Sequence, residues 1–333
     1  MKEMARNRWL VMVTAVLVLT LWGCDSDTQP VMTATPTGST LLVPTATPDP
    51  GSVVFKAVQM ISAAEGWAVG WRSYGDGSSN TVVIRYEGGK WRTVPISGTA
   101  HLYSLALFSS SEGWAVGERG TILHLEGGKW LAQASPTEQP LWGLAMLNAE
   151  EGWAVGQGGT ILRYQNKQWQ PAASPTKLWL GAVAFTSSAN GWAVGQGGIL
   201  LHYDGHNWQS VASPSRAVFY SVALVGKDEG WAVGAGGSIL HYDGKQWLAS
   251  ESPTKSDLWA VSMVTAREGW ATGLDGVTVH YKDGQWRLAD KVEASRLWGL
   301  QMVSSTEGWA VGDMIMQYLN GKWSEAPLIN TQE

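Results

Sequence analysis

The pentapeptide Gly-Trp-Ala-Val-Gly recurs along this chain, with its Trp at positions 67, 114, 153, 192, 231 and 309, and Gly-Trp-Ala-Thr-Gly adds Trp270. From Trp114 onward each step is 39 residues, while the first step is 47, an insertion of eight. A second Trp follows at 91, 130, 169, 208, 247, 286 and 323, again in steps of 39 until a last step of 37. A period of this size means copies of one supersecondary unit, each unable to bury its apolar face alone and each stacked on its neighbours.

Residues 258 to 289 show what the unit is. Leu258 to Val264 alternates small and large side chains, Trp270 to Gly273 is short and apolar, Val277 to Tyr281 is rich in β-formers, and Gln285 to Leu288 follows Asp283-Gly284. These read as four strands joined by turns, with Asp-Gly as a hairpin turn because both residues tolerate positive φ. Matching turns are expected at Gly88-Gly89, Gly127-Gly128, Asp204-Gly205, Asp243-Gly244 and Asn320-Gly321. Four antiparallel strands in 39 residues is the length of a propeller blade. The fold expected is all-β, a seven-bladed β-propeller with four strands per blade, A innermost to D outermost, over residues 53–327. The 40 Gly serve its turns, and the 21 Trp supply its inter-blade contacts. Both end blades look complete; Leu328-Ile329 or Leu41-Leu42-Val43 is available as an added outer strand.

The chain start is of another character. Lys2, Arg6 and Arg8 precede an apolar run from Trp9 to Trp22, too short to span a bilayer comfortably and typical of a signal peptide. Leu21-Trp22-Gly23-Cys24 resembles a bacterial lipobox, with Trp22 as its departure. Residues 1–23 are read as a lipoprotein signal peptide and Cys24, the only cysteine, as the lipidated residue; an uncleaved signal anchor is the alternative. Residues 24–52, rich in Pro and Thr, read as an extended tether, and 328–333 as a tail. The expected location is extracytoplasmic, lipid-anchored to a bacterial membrane. The net charge of −5, without basic runs, argues against nucleic acid as a partner.

Gly-Trp-Ala-Val-Gly, a glycine turn and then Thr-Ile-Leu-His resembles the photosystem II assembly and stability factor family, propellers related to the Asp-box (BNR) repeats. Gly152 to Arg163 and Gly230 to Tyr242 are the clearest matches, and the resemblance covers residues 53 to 326. It implies a seven-bladed propeller that assists assembly of a membrane complex and has no catalytic activity. Two departures stand out. Asp243 to Trp247 is one residue shorter than the Asp-box spacing, and Arg72, Arg119, Arg216, Arg267 and Arg296 are spread where the family tends to cluster arginines.

A catalytic set should break the repeat, because a residue present in every blade serves the blade. His124, His202, His241 and His280 share one strand C position, which is Arg163 in blade 3 and Gln317 in blade 7, so they read as half-exposed strand residues and no metal site is expected. Glu112, Glu151, Glu229, Glu268 and Glu307 recur as A–B turn residues. No nucleophile, phosphate loop or dinucleotide motif appears, so no enzyme activity and no cofactor are expected.

Two features do break the repeat. Eleven residues before the first Trp stand Tyr103, Trp142, Tyr220, Trp259 and Trp298; blade 4 has Gly181 there with Trp179 two residues earlier, and blade 1 has Lys56. At the start of strand A these rings form either an aromatic collar at the channel mouth or, the favoured reading, a packing row with Val261 and Met263 between blades. The eight-residue insertion of blade 1 holds Arg72, Tyr74 and Asp76 in the B–C loop, next in the ring to blade 7, which is clipped by two residues around Asp313. Loops that depart from a repeat commonly carry function. The expectation is a monomeric, non-catalytic scaffold that binds a protein partner at a membrane surface. The alternatives are a carbohydrate or cell-wall binding module and a degenerate sialidase-type glycosidase.

Overall fold

The computed structural model of the protein describes residues 51–329. The segments expected as signal peptide, lipidated Cys24 and tether before residue 51, and the last four residues, lie outside the described residues. Seven antiparallel sheets follow one another along the chain, each with consecutive strands side by side. The chain is a seven-bladed β-propeller. Blade 6 is typical, with strands Leu258–Thr265, Glu268–Gly273, Thr278–Lys282 and Gln285–Leu288. The strand A segments line the centre: Ser52–Ser62, Leu102–Ser109, Leu141–Asn148, Leu180–Ser187, Phe219–Leu224, Leu258–Thr265 and Leu297–Met302.

The two Trp series explain how flat sheets become a ring. The strand B Trp of one blade meets the strand D Trp of the next edge to face: Trp114 with Trp169 at 5.5 Å, Trp153 with Trp208 at 5.5 Å, Trp192 with Trp247 at 5.4 Å and Trp231 with Trp286 at 5.3 Å between centroids. Such pairs gain beyond the area they bury, because the positive ring edge meets the negative face. A strand C Tyr completes most of these clusters, for example Tyr203 against Trp153. Blade 2 has Leu125 in that place, and its Trp130 is only half-buried.

The other face of each strand B indole is covered from its own blade. His124, His241 and His280 stack on Trp114, Trp231 and Trp270 at 4.0–4.3 Å, and the guanidinium groups of Arg85 and Arg163 lie over Trp67 and Trp153. The strand C position therefore accepts His or Arg because both are planar and lie flat on an indole. The glutamates at the start of strand B reach the same groups. Glu151 pairs with Arg163 at 2.7 Å, Glu229 with His241 at 2.5 Å and Glu268 with His280 at 3.4 Å. These are cross-strand pairs of the blade edge. No cluster of three or more metal-ligating side chains occurs among the described residues.

The C–D turns come in two forms. Asp283-Gly284 has both residues at positive φ (54° and 78°), as do Gly88-Gly89, Gly127-Gly128 and Asn320-Gly321. Asp204 and Asp243 do not share this conformation, contrary to expectation. Their Asp-Gly stands one position nearer the strand C Tyr than Asp283-Gly284 does, and each carboxylate accepts from two backbone N–H groups, His206 and Asn207 in one and Lys245 and Gln246 in the other.

Ring closure repeats the rule of the other interfaces. Trp309 of blade 7 meets Trp91 of blade 1 at 5.3 Å, and the Gln301 side chain bridges to the backbone N–H and carbonyl of Met60. Leu328–Ile329 pairs in parallel with Trp91 and Arg92, so the chain end adds a fifth strand to the outer edge of blade 1.

Candidate functional site at the channel mouth

Each inner strand carries an irregularity at the same place near its start, and five carry a second near the A–B turn. In blade 6, Leu258 pairs with Gly273 and Ala260 with Thr272, which leaves Trp259 as the extra residue of a β-bulge. The same register shift leaves out Lys56, Tyr103, Trp142 and Gly181 in blades 1 to 4, and Tyr220 and Trp298 in blades 5 and 7. A bulge re-aims a side chain out of the strand's alternation. That overturns the packing row expected for Trp259, Val261 and Met263. Val261 and Met263 do pack in the inter-blade cluster with Trp231, but the bulge turns Trp259 away from them and into the channel.

The second glycine of Gly-Trp-Ala-Val-Gly is the sequence trace of this bulge. A Cβ added at Gly273 would lie 1.8 Å from the carbonyl oxygen of Asp257, and one at Gly312 would lie 1.7 Å from that of Arg296. The bulged strand approaches so closely that only glycine fits opposite it. The repeat shows this glycine seven times, yet composition and spacing alone explain it as a turn residue.

The seven bulges converge on a cavity of about 290 Å³ at the mouth of the central channel. Tyr103 stacks on Trp142 at 4.0 Å and 5°, and Trp259 on Trp298 at 3.7 Å and 11°. In blade 4 the indole of Trp179 lies over Gly181, its Cη2 standing 2.6 Å from where a Gly181 Cβ would be. Trp179 so fills the place of the missing ring, edge-on to Trp142 at 5.9 Å and near Tyr220 at 6.1 Å.

Lys56 is the exception in the ring. Its Nζ lies 3.1 Å from the centroid of Trp298 and 6.0 Å from that of Trp142. Burial, and secondarily the positive charge of Arg296, pull its amine down to about 7. Among the described residues no carboxylate pairs with it. Burial, with Glu118 nearby, pushes the Tyr103 hydroxyl up to about 12. The Tyr220 hydroxyl is also raised, mainly by burial, and stands 3.5 Å from Asp257.

The blade 1 insertion is an ordered extension of the B–C hairpin, with strands Glu65–Ser73 and Ser79–Glu87. Asp76 accepts from both the backbone N–H and the hydroxyl of Ser78, which lowers its pKa and shapes the tip. Arg72 and Tyr74 line a second cavity of about 600 Å³, closed on its other side by Pro95 and Ile96 of the connector to blade 2. The Arg72 Nε is buried without an acceptor. Trp71, in the same hairpin, stacks on His101 at 4.4 Å and meets Tyr103 edge-on at 6.1 Å, so the hairpin leans on the collar. The structure thus brings Tyr103, Trp142, Trp179, Tyr220, Trp259 and Trp298 together and places Arg72, Tyr74 and Asp76 on a neighbouring rim. Lys177, Arg216, Lys255 and Arg296 are exposed on the D–A connectors of the same face. On blade 7 the clipped turn is held down by Asp313, which accepts from the backbone of Ser295 and Arg296.

No protein-family model matches the chain, and no curated protein matches it. Solved structures do. YCF48 bound to a D1 peptide is 18% identical with a TM-score of 0.64, over 84% of this chain and 93% of that one. YCF48 from Cyanidioschyzon merolae is 17% identical with a TM-score of 0.64, over 82% and 97%. The WD40 β-propeller domain of Doa1 is 11% identical with a TM-score of 0.63, over 80% and 92%. At these identities the likeness is one of fold, and it extends to structures of more than one kind.

Proposed function

We propose that this chain is a non-catalytic propeller scaffold that captures a protein partner on the face formed by the B–C loops and D–A connectors. The observation that carries this reading is the blade 1 hairpin, which breaks the symmetry of that face with an ordered projection leaning on the collar. The similarity to YCF48 bound to a D1 peptide supports it, since it offers a propeller of this build holding a polypeptide. Together with the repeat's resemblance to photosystem II assembly and stability factors, it favours a role in assembling a membrane complex. A lipid on Cys24 would hold the domain at the outer face of a bacterial membrane. Fatty-acid labelling tests that anchor: the unaltered chain should take up label and partition with membranes, and Cys24→Ser should do neither.

The partner reading is tested by shortening the hairpin between Trp71 and Asn80 to the length of the blade 2 turn. Melting should be unchanged, because longer surface loops add little entropy cost and little core. Recovery of the partner from solubilised membranes should fall. Full recovery by the shortened protein would move the contact elsewhere.

A further inference from the structure

The collar is short of an anion. Lys56 brings a cation into a ring of aromatic side chains, and among the described residues no Asp or Glu forms an ion pair with it. A cation removed from water without a counter-charge is costly, and the attraction of one indole face offsets only part of the cost. Arg296, at the start of the neighbouring strand, adds a second positive charge.

The ring geometry points the same way. In each stacked pair, Tyr103 with Trp142 and Trp259 with Trp298, one face of each ring is covered by its neighbour, and the Lys56 ammonium covers a face of Trp298. An apolar cavity walled by aromatic rings and holding one ammonium suits a flat apolar body bearing a negative group. It does not suit a pyranose. Beyond Lys56, the side-chain polar groups of the lining residues are the indole N–H groups and the hydroxyls of Tyr103 and Tyr220, the second of which already faces Asp257. A sugar would bury more hydroxyls than these can satisfy.

We infer that the channel mouth is a binding site for a small aromatic carboxylate, with the carboxylate on the Lys56 ammonium and the ring among the collar side chains. This goes beyond the capture of a protein on the rim and does not rest on it. The amine, drawn down by burial to about 7, would regain its proton beside a bound carboxylate.

Ligand-observed fluorine NMR with 3-fluorobenzoate and 3-fluorobenzamide tests the site on the full chain. The two probes share shape and differ in charge. The benzoate should bind at least tenfold more tightly than the amide at pH 6.5, and Lys56→Met should erase that preference in a protein that still melts in one cooperative transition. Glucuronate should not compete. Equal binding of acid and amide to the unaltered protein, or absence of binding by either up to millimolar concentration, would overturn the proposal, and neither result depends on a variant folding. Competition by glucuronate as effective as that by unlabelled benzoate would overturn the aromatic choice in favour of an acidic sugar.

Discussion

The indole of Trp309, in the last blade, meets the indole of Trp91, in the first, edge to face at 5.3 Å and 86°. Both are about 1% exposed. The contact that joins each blade to the next thus also joins the chain's end to its beginning, with the Gln301 to Met60 bridge and the Leu328–Ile329 strand laid beside it.

Truncating Trp309 to Ala should cost roughly 3–5 kcal/mol, the range for a fully buried large aromatic side chain. Thermal melting should fall by roughly 5–15 °C for a domain of this size. Trp130→Ala, at the half-buried position of blade 2, should cost clearly less. Comparison of the three melting curves checks this. If Trp309→Ala melts with the unaltered protein, closure does not depend on this pair.

Gly273→Ala tests the bulge. The added Cβ would meet the Asp257 carbonyl oxygen at 1.8 Å, and that oxygen is backbone already held by the Leu274 N–H at 2.9 Å. Overpacking of this kind typically costs roughly 1–3 kcal/mol. Gly284→Ala, at φ 78° on an open hairpin turn, meets no atom and carries only the roughly 1–2 kcal/mol of a left-handed backbone. The expected difference is qualitative as well. Gly273→Ala should alter the near-ultraviolet circular dichroism, because Trp259 and its stack with Trp298 move with the bulge, while Gly284→Ala should not. Identical spectra would mean that the bulge does not position the ring.

The repeat made the fold legible. Two Trp series at a common period gave the blade count, the strand order and the faces buried between blades. Ring closure through Trp309 and Trp91 follows from the same register. The collar was legible only by position. Alternation along strand A put Trp259 on the side of Val261, and a bulge is invisible to alternation because it adds a residue without breaking the apolar pattern. The glycine opposite it, Gly273, was the available signal. The cross-strand pairs of Glu151 with Arg163 and Glu229 with His241 were missed for a related reason. Each residue recurs in its own column, and only the strand B to strand C register brings the columns together.

Lys56 should leave a mark on the pH dependence of stability. Its folded pKa, about 7, is below the ordinary 10.5, so between these values the unfolded chain binds the proton more readily than the folded one. Stability from this group therefore rises as pH increases from about 7 toward 10.5, and its destabilising effect is complete below 7. The groups facing it are Arg296, whose charge adds to the effect, Trp142 and Trp298, which are uncharged, and Tyr103, whose hydroxyl titrates near 12. Lys56→Met should raise the melting temperature most at pH 6 and least at pH 9.5. A gap that stays constant across this range would show that the amine is not desolvated.

The central claim, that a protein partner is held on the B–C and D–A face, is tested most directly by site-specific photo-crosslinking in intact cells. A photoreactive residue is placed in turn at Tyr74 in the blade 1 hairpin, at Arg216 on a D–A connector and at Lys167 on a C–D turn of the opposite face. Tyr74 and Arg216 should crosslink to one common polypeptide, and Lys167 should not. Crosslinking of that polypeptide from Lys167, with none from Tyr74 and Arg216, would place the partner on the other face and contradict the account.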